Sequence, residues 1–269
     1  MSLKNLMVHL DQTERTAARL QLAVKLARSH GARLLGVFAQ KAPAQQVGVV
    51  ATWPSAAYVE ARDESRRQFE QVTAGLDGAE WHDINRGSEA EVLRQVVNIA
   101  RYADLVILGQ HDERNAVTPE DLVLEVILDS GRPVLVVPYA GEFTDIGRHP
   151  LVAWNDAREA AHALNDALPL IQGCDEAIVL SFATRREDGD ASCAGVIRHL
   201  AAHGVRARPE VMLVQDFGIM DMLLNRVTDR GADLLVMGAH GHIGFPFVSR
   251  GAGTRYILRH MTVPVLMAS

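Results

Sequence analysis

The chain is poor in several residue types that mark particular protein classes. It has two cysteines in 269 residues, Cys174 and Cys193, which are too few for a disulfide framework or a zinc cage. Its three lysines all lie within the first 41 residues, and no Gly-x4-Gly-Lys-(Ser/Thr) phosphate loop occurs. No apolar run reaches the length of about 18 residues that a membrane-spanning helix needs. The first residues lack the pattern of a secretory signal, so we expect a cytoplasmic protein.

The remaining composition is that of an ordinary globular protein. Hydrophobic residues make up 48% of the chain and charged residues 22%. The formal net charge is −6, which argues against general binding to nucleic acids or to anionic membranes. We therefore expect neither among the partners.

The sequence repeats itself. Residues 103–109 read ADLVILG and residues 232–238 read ADLLVMG, and each segment is followed by a Pro-Val-Leu, at 133–135 and at 264–266. Asp11, at the end of LMVHLD, has a counterpart in Asp156, at the end of LVAWND. The sequence therefore predicts two domains, 1–139 and 150–269, joined by a short, turn-rich linker.

Each copy alternates short apolar runs with helical patterns. The predicted strands are 6–10, 34–38, 104–108 and 133–137 in the first copy, and 151–154, 177–182, 210–214, 233–237 and 263–267 in the second. Apolar strands separated by helices indicate a parallel sheet covered on both faces. We therefore predict an α/β fold with two tandem doubly wound (Rossmann-like) parallel five-stranded sheets flanked by helices. The mixed-charge stretch 185–190 is expected to be a solvated turn.

In such sheets a ligand binds beyond the carboxyl ends of the strands. The segment after the fourth strand of the second copy, residues 238–255, is rich in glycine, with glycines at 238, 241, 244, 251 and 253. Glycine lets a ligand approach the backbone N–H groups closely, and a helix predicted from about residue 252 adds a partial positive charge at its N-terminus. This arrangement is typical of a phosphate site.

The two copies differ in charge at this place. From Ala239 to Ser269 there is no acidic residue, whereas Gln110–Pro138 of the first copy contains six, and it has no glycine between Gly109 and Gly131. We therefore predict that the second copy accepts an anion and that the first copy rejects it.

The pattern Gly238-x2-Gly241-x9-Gly251 resembles the ATP-binding motif of the universal stress protein (UspA-like) family, and the ending Tyr256–Leu266 is similar to the closing helix and strand of that family. The resemblance implies that Gly238, Gly241 and Gly251 bind phosphate through the backbone. It also implies that Asp156 lies beside the nucleoside and that Phe182 and Ala183 meet adenine through main-chain groups. Ala252 stands where the family motif has Ser or Thr; Thr254 or Ser249 could supply a replacement hydroxyl. The predicted site also includes Ala252, Gly253 and Thr254.

The resemblance implies a tandem, nucleotide-binding stress or regulatory protein that holds ATP, with or without Mg²⁺, in its C-terminal domain. The first copy would be a degenerate partner. The two copies would form an intramolecular pseudo-dimer, and a homodimer through the last strand is the family's common assembly. Two alternatives stay open: a slow ATP hydrolase, and an interaction scaffold with a vestigial or non-ATP pocket.

The residues themselves assign no catalytic group and no metal site. His240 and His242 stand two residues apart with no carboxylate or cysteine nearby, which is a poor metal pattern. Asp156 could also be a simple helix N-cap rather than a ligand contact.

Overall fold

A computed structural model describes residues 2–42, 45–47, 50–52, 54–84, 88–115, 117–214, 218–239 and 251–269. The predicted site residue Gly241 lies outside these ranges, as do His240, His242 and Ser249. The chain divides into two compact units, Ser2–Arg132 and Pro133–Ser269. Among the described residues, no helix combines the length and the apolar character that a membrane crossing requires.

The N-terminal unit contains six strands and four α-helices in its described residues. They are β1 (Asn5–Leu10), α1 (Arg15–His30), β2 (Arg33–Phe38), β3 (Gln45–Val47), β4 (Val50–Thr52), α2 (Ala56–Val72), β5 (Ala79–Asp83), α3 (Glu89–Ala100), β6 (Leu105–Gly109) and α4 (Leu122–Asp129). A parallel sheet has the strand order β5-β2-β1-β6, while β3 and β4 form a separate antiparallel pair. Helix α1 packs on β1, β2 and β6.

The C-terminal unit repeats this order. Its elements are β7 (Val134–Val137), β8 (Pro150–Trp154), α5 (Arg158–Ile171), β9 (Ala177–Ala183), α6 (Arg186–Ala202), β10 (Ala207–Leu213), α7 (Ile219–Asp229), β11 (Leu234–Gly238), α8 (Ala252–His260) and β12 (Val265–Ala268). The parallel strands follow the order β10-β9-β8-β11-β12. Helix α5 packs on β8, β11 and β12, and α6 packs on β9 and β10.

Strand order reverses between β8 and β11, because the chain winds outward from β8 to β10 and then returns to β11. The predicted α/β class and the doubly wound parallel order are thereby confirmed. The reversal leaves a crevice between β8 and β11 at the carboxyl ends of these strands, where ligands bind in folds of this class.

The strands divide differently from the expected five in each copy. The fifth strand of the first copy, β7, forms as predicted, but it pairs antiparallel with β12, with Val136 opposite Val265 and Leu135 opposite Leu266. The sheet of the C-terminal unit therefore has six strands. All four residues of β7 are buried, so this pairing is a hydrophobic contact as well as a hydrogen-bonded one.

The repeat is visible in a shared structural role. Asp104 accepts hydrogen bonds from the backbone N–H groups of Lys4 (2.7 Å) and Asn5 (2.9 Å), which fixes the start of β1 beside β6. Asp233 accepts three such bonds from residues 147–149, at 3.0, 2.8 and 3.0 Å, just before β8. An equivalent carboxylate thus connects β1 to β6 in the first copy and β8 to β11 in the second.

Candidate functional site

A cavity of about 320 Å³ lies at the carboxyl ends of β8, β9 and β11 in the C-terminal unit. It occupies the point where strand order reverses. Its walls come from the ends of these three strands and from α5, α6, α7 and the start of α8. The predicted site residues Asp156, Phe182, Ala183, Gly238, Gly251, Gly253 and Thr254 all line it. The structure therefore brings together residues that are up to 98 positions apart in the chain.

Asp156 follows β8 and is held in an unusual conformation. Its φ is 56°, and it is the only described residue other than glycine with a positive φ. Trp154 Nε1 donates a hydrogen bond to its Oδ1 (3.1 Å), and the Ser192 hydroxyl donates one to its Oδ2. Asp156 does not cap α5, because the capping residue is Ala157. A strained residue that the surrounding structure holds in place is typical of a functional position.

One wall of the cavity is apolar. Phe182 and Ala183 at the end of β9 face it together with Met237 of β11. Helix α7 adds three large side chains, Ile219, Met220 and Leu223. A flat aromatic ring such as a purine buries apolar surface against such a wall and leaves its edge for main-chain hydrogen bonds.

The wall formed by α6 was not expected from the sequence. The stretch 185–190 was predicted as a solvated turn, but α6 begins at Arg186, so Asp188, Gly189 and Ser192 line the cavity. Asp188 pairs with Arg185 at 2.8 Å. A Cβ on Gly189 would lie 2.5 Å from Val211 Cγ1, so glycine allows α6 to pack closely on the sheet. The sequence predicts a helix only from about residue 190, because the charged first turn of α6 lacks an apolar period.

The N-terminus of α8 forms another part of the cavity lining. Gly251 caps the helix with φ 84°, and Gly253 and Thr254 face the cavity from its first turn. That turn contains no acidic residue, so the partial positive charge of the helix N-terminus is not neutralised locally. Thr254 is buried at the cavity wall, whereas Ala252 does not line it. Thr254, one of the two hydroxyls considered as a replacement at Ala252, therefore lies at the cavity, while Ser249 is outside the described residues.

Gly238 has a packing role beside its place in the cavity. A Cβ at this position would lie 2.6 Å from the backbone nitrogen of Ala160 and from the carbonyl carbon of Glu159. Glycine at the end of β11 therefore lets α5 start directly against the sheet, which brings Glu159 and Ala160 to the cavity.

Three carboxylate residues line the cavity: Asp156 after β8, Glu159 on α5 and Asp188 on α6. The first turn of α8 contributes none. No group of three metal-binding side chains occurs among the described residues. Cys193 lies buried beneath this region, and burial raises the pKa of its thiol to about 11, so it is a poor nucleophile.

Comparisons with known proteins agree with this architecture. Residues 156–269 match the family model of the universal stress protein family. A structure of a universal stress protein from Archaeoglobus fulgidus DSM 4304 has a TM-score of 0.75 and 14% identity, covering 98% of this chain and 96% of that one. A functionally unknown protein from Pseudomonas aeruginosa PAO1 has a TM-score of 0.57 and 16% identity, covering 99% and 92%. At these identities the likeness shows a shared fold. No curated protein matches the chain.

A further structure, the universal stress protein from Archaeoglobus fulgidus in complex with dAMP, covers 51% of this chain and 98% of that chain. It has 16% identity and a TM-score of 0.36, too low for the comparison to place a ligand on this chain.

Proposed function

The chain carries a domain of the universal stress protein family at residues 156–269, and from this premise we propose that it is a nucleotide-binding regulatory protein whose C-terminal cavity holds ATP. The supporting observation is the arrangement of this cavity. Carboxylates that include Asp156, apolar side chains and an acid-free helix N-terminus all line a space of about 320 Å³. These three chemistries match the ribose, the base and the phosphates of a nucleotide.

In the proposed complex the base lies against Phe182, Ala183 and the apolar residues of α7. The ribose hydroxyls donate to Asp156, whose carboxylate Trp154 and Ser192 hold in place. The phosphates lie at Gly251 and Gly253, with the hydroxyl of Thr254 at the same end. This proposal also includes the division into domains 1–139 and 150–269, with the nucleotide in the second. It includes a cytoplasmic location as well.

Calorimetry with ATP on the full chain tests the proposal. Gly253→Asp places a carboxylate at the predicted phosphate position, so we expect binding to be abolished. Gly195→Asp is the matched control, because Gly195 lies on α6 with open space around it and outside the cavity. This control should bind like the unsubstituted chain. ATP binding that survives Gly253→Asp would contradict the proposed phosphate position.

The unsubstituted chain and the Gly253→Asp variant also show whether ATP is only bound or is hydrolysed. All three lysines of the chain lie in its first copy, and we propose that ATP is a bound effector rather than a rapidly consumed substrate. Phosphate release from the unsubstituted chain should therefore stay at the level of the Gly253→Asp variant. A rate well above that level would favour an ATP hydrolase. Titration with and without EDTA measures whether Mg²⁺ takes part.

A further inference from the structure

Buried polar side chains occupy the carboxyl ends of β1, β2 and β6 in the N-terminal unit. His9 and Asp11 stand at the end of β1, Gln40 follows β2, and Gln110 follows β6, and all four are buried. Along the sequence repeat, Asp11 corresponds to Asp156 and Gly109 to Gly238. These buried side chains therefore stand at the strand ends that correspond, along the repeat, to those lining the cavity of the C-terminal unit.

Arg19 of α1 is the centre of this group. Its side chain is 3% exposed, an unusual burial for arginine. Its Nη2 donates to Asp11 Oδ2 (2.9 Å) and to the Thr16 hydroxyl (3.0 Å), and its Nε donates to the His9 carbonyl (2.8 Å). The guanidinium is thus bound as a ligand would be, by a carboxylate, a hydroxyl and a main-chain carbonyl.

Because Gly109 has no side chain, the Arg19 guanidinium can occupy the space beside it. A Cβ at this position would lie only 2.1 Å from Arg19 Nη1. At the corresponding Gly238 the Cβ would instead meet the backbone of α5. The two glycines hold equivalent places in the repeat, yet only the one in the N-terminal unit lies against a buried cationic side chain.

Further hydrogen bonds hold the Asp11 carboxylate in its contact with Arg19. The carboxylate also accepts hydrogen bonds from the Thr13 backbone N–H (2.8 Å) and the Thr16 hydroxyl (2.6 Å). Burial alone would raise the pKa of Asp11, but Arg19 and the other partners outweigh it and hold the pKa well below its usual range. The pair is therefore ionised, and Asp11 contrasts with the exposed Asp156.

We propose that Arg19 is a built-in ligand of the N-terminal unit, whose guanidinium takes the place of an external ligand and excludes a nucleotide from this copy. The statement about nucleotides rests on the proposed function of the C-terminal cavity; the statement about the guanidinium does not. Arg19 is then the residue that limits the chain to one ligand.

Truncation and chemical rescue test the built-in ligand. Arg19→Ala leaves the buried Asp11 carboxylate without its arginine partner, so the ratio of folded to unfolded chain in urea should fall by a factor of at least about 100. Low-millimolar methylguanidinium chloride should restore part of that stability, compared with sodium chloride at the same concentration. Arg28→Ala, on the exposed side of the same helix, should show neither effect. A loss no larger than that of Arg28→Ala, or a loss without rescue, would overturn the proposal.

If Arg19→Ala does not fold, Arg19→Lys replaces it. Lysine keeps the charge but has no planar fork to reach both Asp11 and the His9 carbonyl, so this variant should be less stable than the unsubstituted chain. Equal stability would contradict a guanidinium-specific site.

Hydrogen exchange of the unsubstituted chain tests the exclusion of nucleotides. Saturating ATP should protect the segments around Asp156, Phe182 and Gly251 and leave those around Leu10 and Gly109 unchanged. Protection at Leu10 and Gly109 would refute the exclusion. Protection nowhere would refute the proposed function of the C-terminal cavity, while the rescue experiment would still decide whether Arg19 is a built-in ligand.

Discussion

Substitutions of Asp156 separate the folding role of this residue from its proposed binding role. With φ at 56°, an alanine here would keep the steric penalty of the left-handed conformation, about 1 kcal/mol, without a polar side chain to offset it. Asparagine tolerates this conformation and can still accept from Trp154 or Ser192. Asp156→Asn should therefore change the free energy of unfolding by no more than about 0.5 kcal/mol.

Substitution of Asp156 should affect ATP affinity much more than it affects stability. A hydrogen bond to a charged group contributes about 1.5–3 kcal/mol, and each 1.4 kcal/mol is a factor of about ten in affinity. If the ribose hydroxyls donate to Asp156, Asp156→Asn should weaken ATP binding about tenfold and Asp156→Gly by up to about a hundredfold. Calorimetry measures the affinities, and urea unfolding of the same samples measures the stabilities.

Asp190→Asn is the matched control for charge. Asp190 is exposed on α6, close in sequence to the cavity residues Asp188 and Ser192, but does not line the cavity. Its substitution should leave the affinity unchanged. The assignment of Asp156 would be refuted by Asp156→Asn binding ATP as tightly as the unsubstituted chain, or by Asp190→Asn losing as much.

Three further outcomes follow from contacts in the structure. Gly238→Ala should destabilise the chain by about 1–3 kcal/mol in urea, because its Cβ would lie 2.6 Å from the backbone of α5, whereas Gly195→Ala, in open space on α6, should not. A maleimide at mildly alkaline pH should label the half-exposed Cys174 before the buried Cys193, whose thiol pKa is raised to about 11; peptide mass spectrometry gives the order. Burial lowers the pKa of His9 from 6.5 to about 4, so unfolding takes up a proton between these values. Stability should therefore fall by roughly 3 kcal/mol as the pH drops from 6.5 to 4, and His9→Gln should flatten that part of the curve; an unchanged slope would show that His9 is not the group responsible.

Much of the fold could be predicted from the sequence because it depends on local patterns. Buried parallel strands are continuous apolar runs, so β6, β7, β11 and β12 stand out. The start of α8 at Ala252 follows from glycine at the preceding position. Asp156 and Gly238 each follow a predicted strand, and the resemblance to the universal stress protein family assigns both to one site.

What the sequence did not reveal depends on tertiary contacts. The strand β5 was missed because it is polar and only half-buried, and the first turn of α6 was missed because its charges lack an apolar period. The pairing of β7 with β12 could not be predicted, because several strands are equally apolar and no local sequence pattern distinguishes them as partners. Arg19 appears in the sequence as one arginine in a helix, and only the folded unit brings it to Asp11 and Gly109.

The central claim is that a nucleotide binds in the cavity of the C-terminal unit. Photolabelling of the full chain with 8-azido-ATP, followed by peptide mapping, tests it most directly because it reports both stoichiometry and place. The account predicts one label per chain, on peptides containing Phe182 and Ala183 or the start of α7, and competition by unmodified ATP. Label in the unit Ser2–Arg132, two labels per chain, or label that ATP does not displace would contradict it.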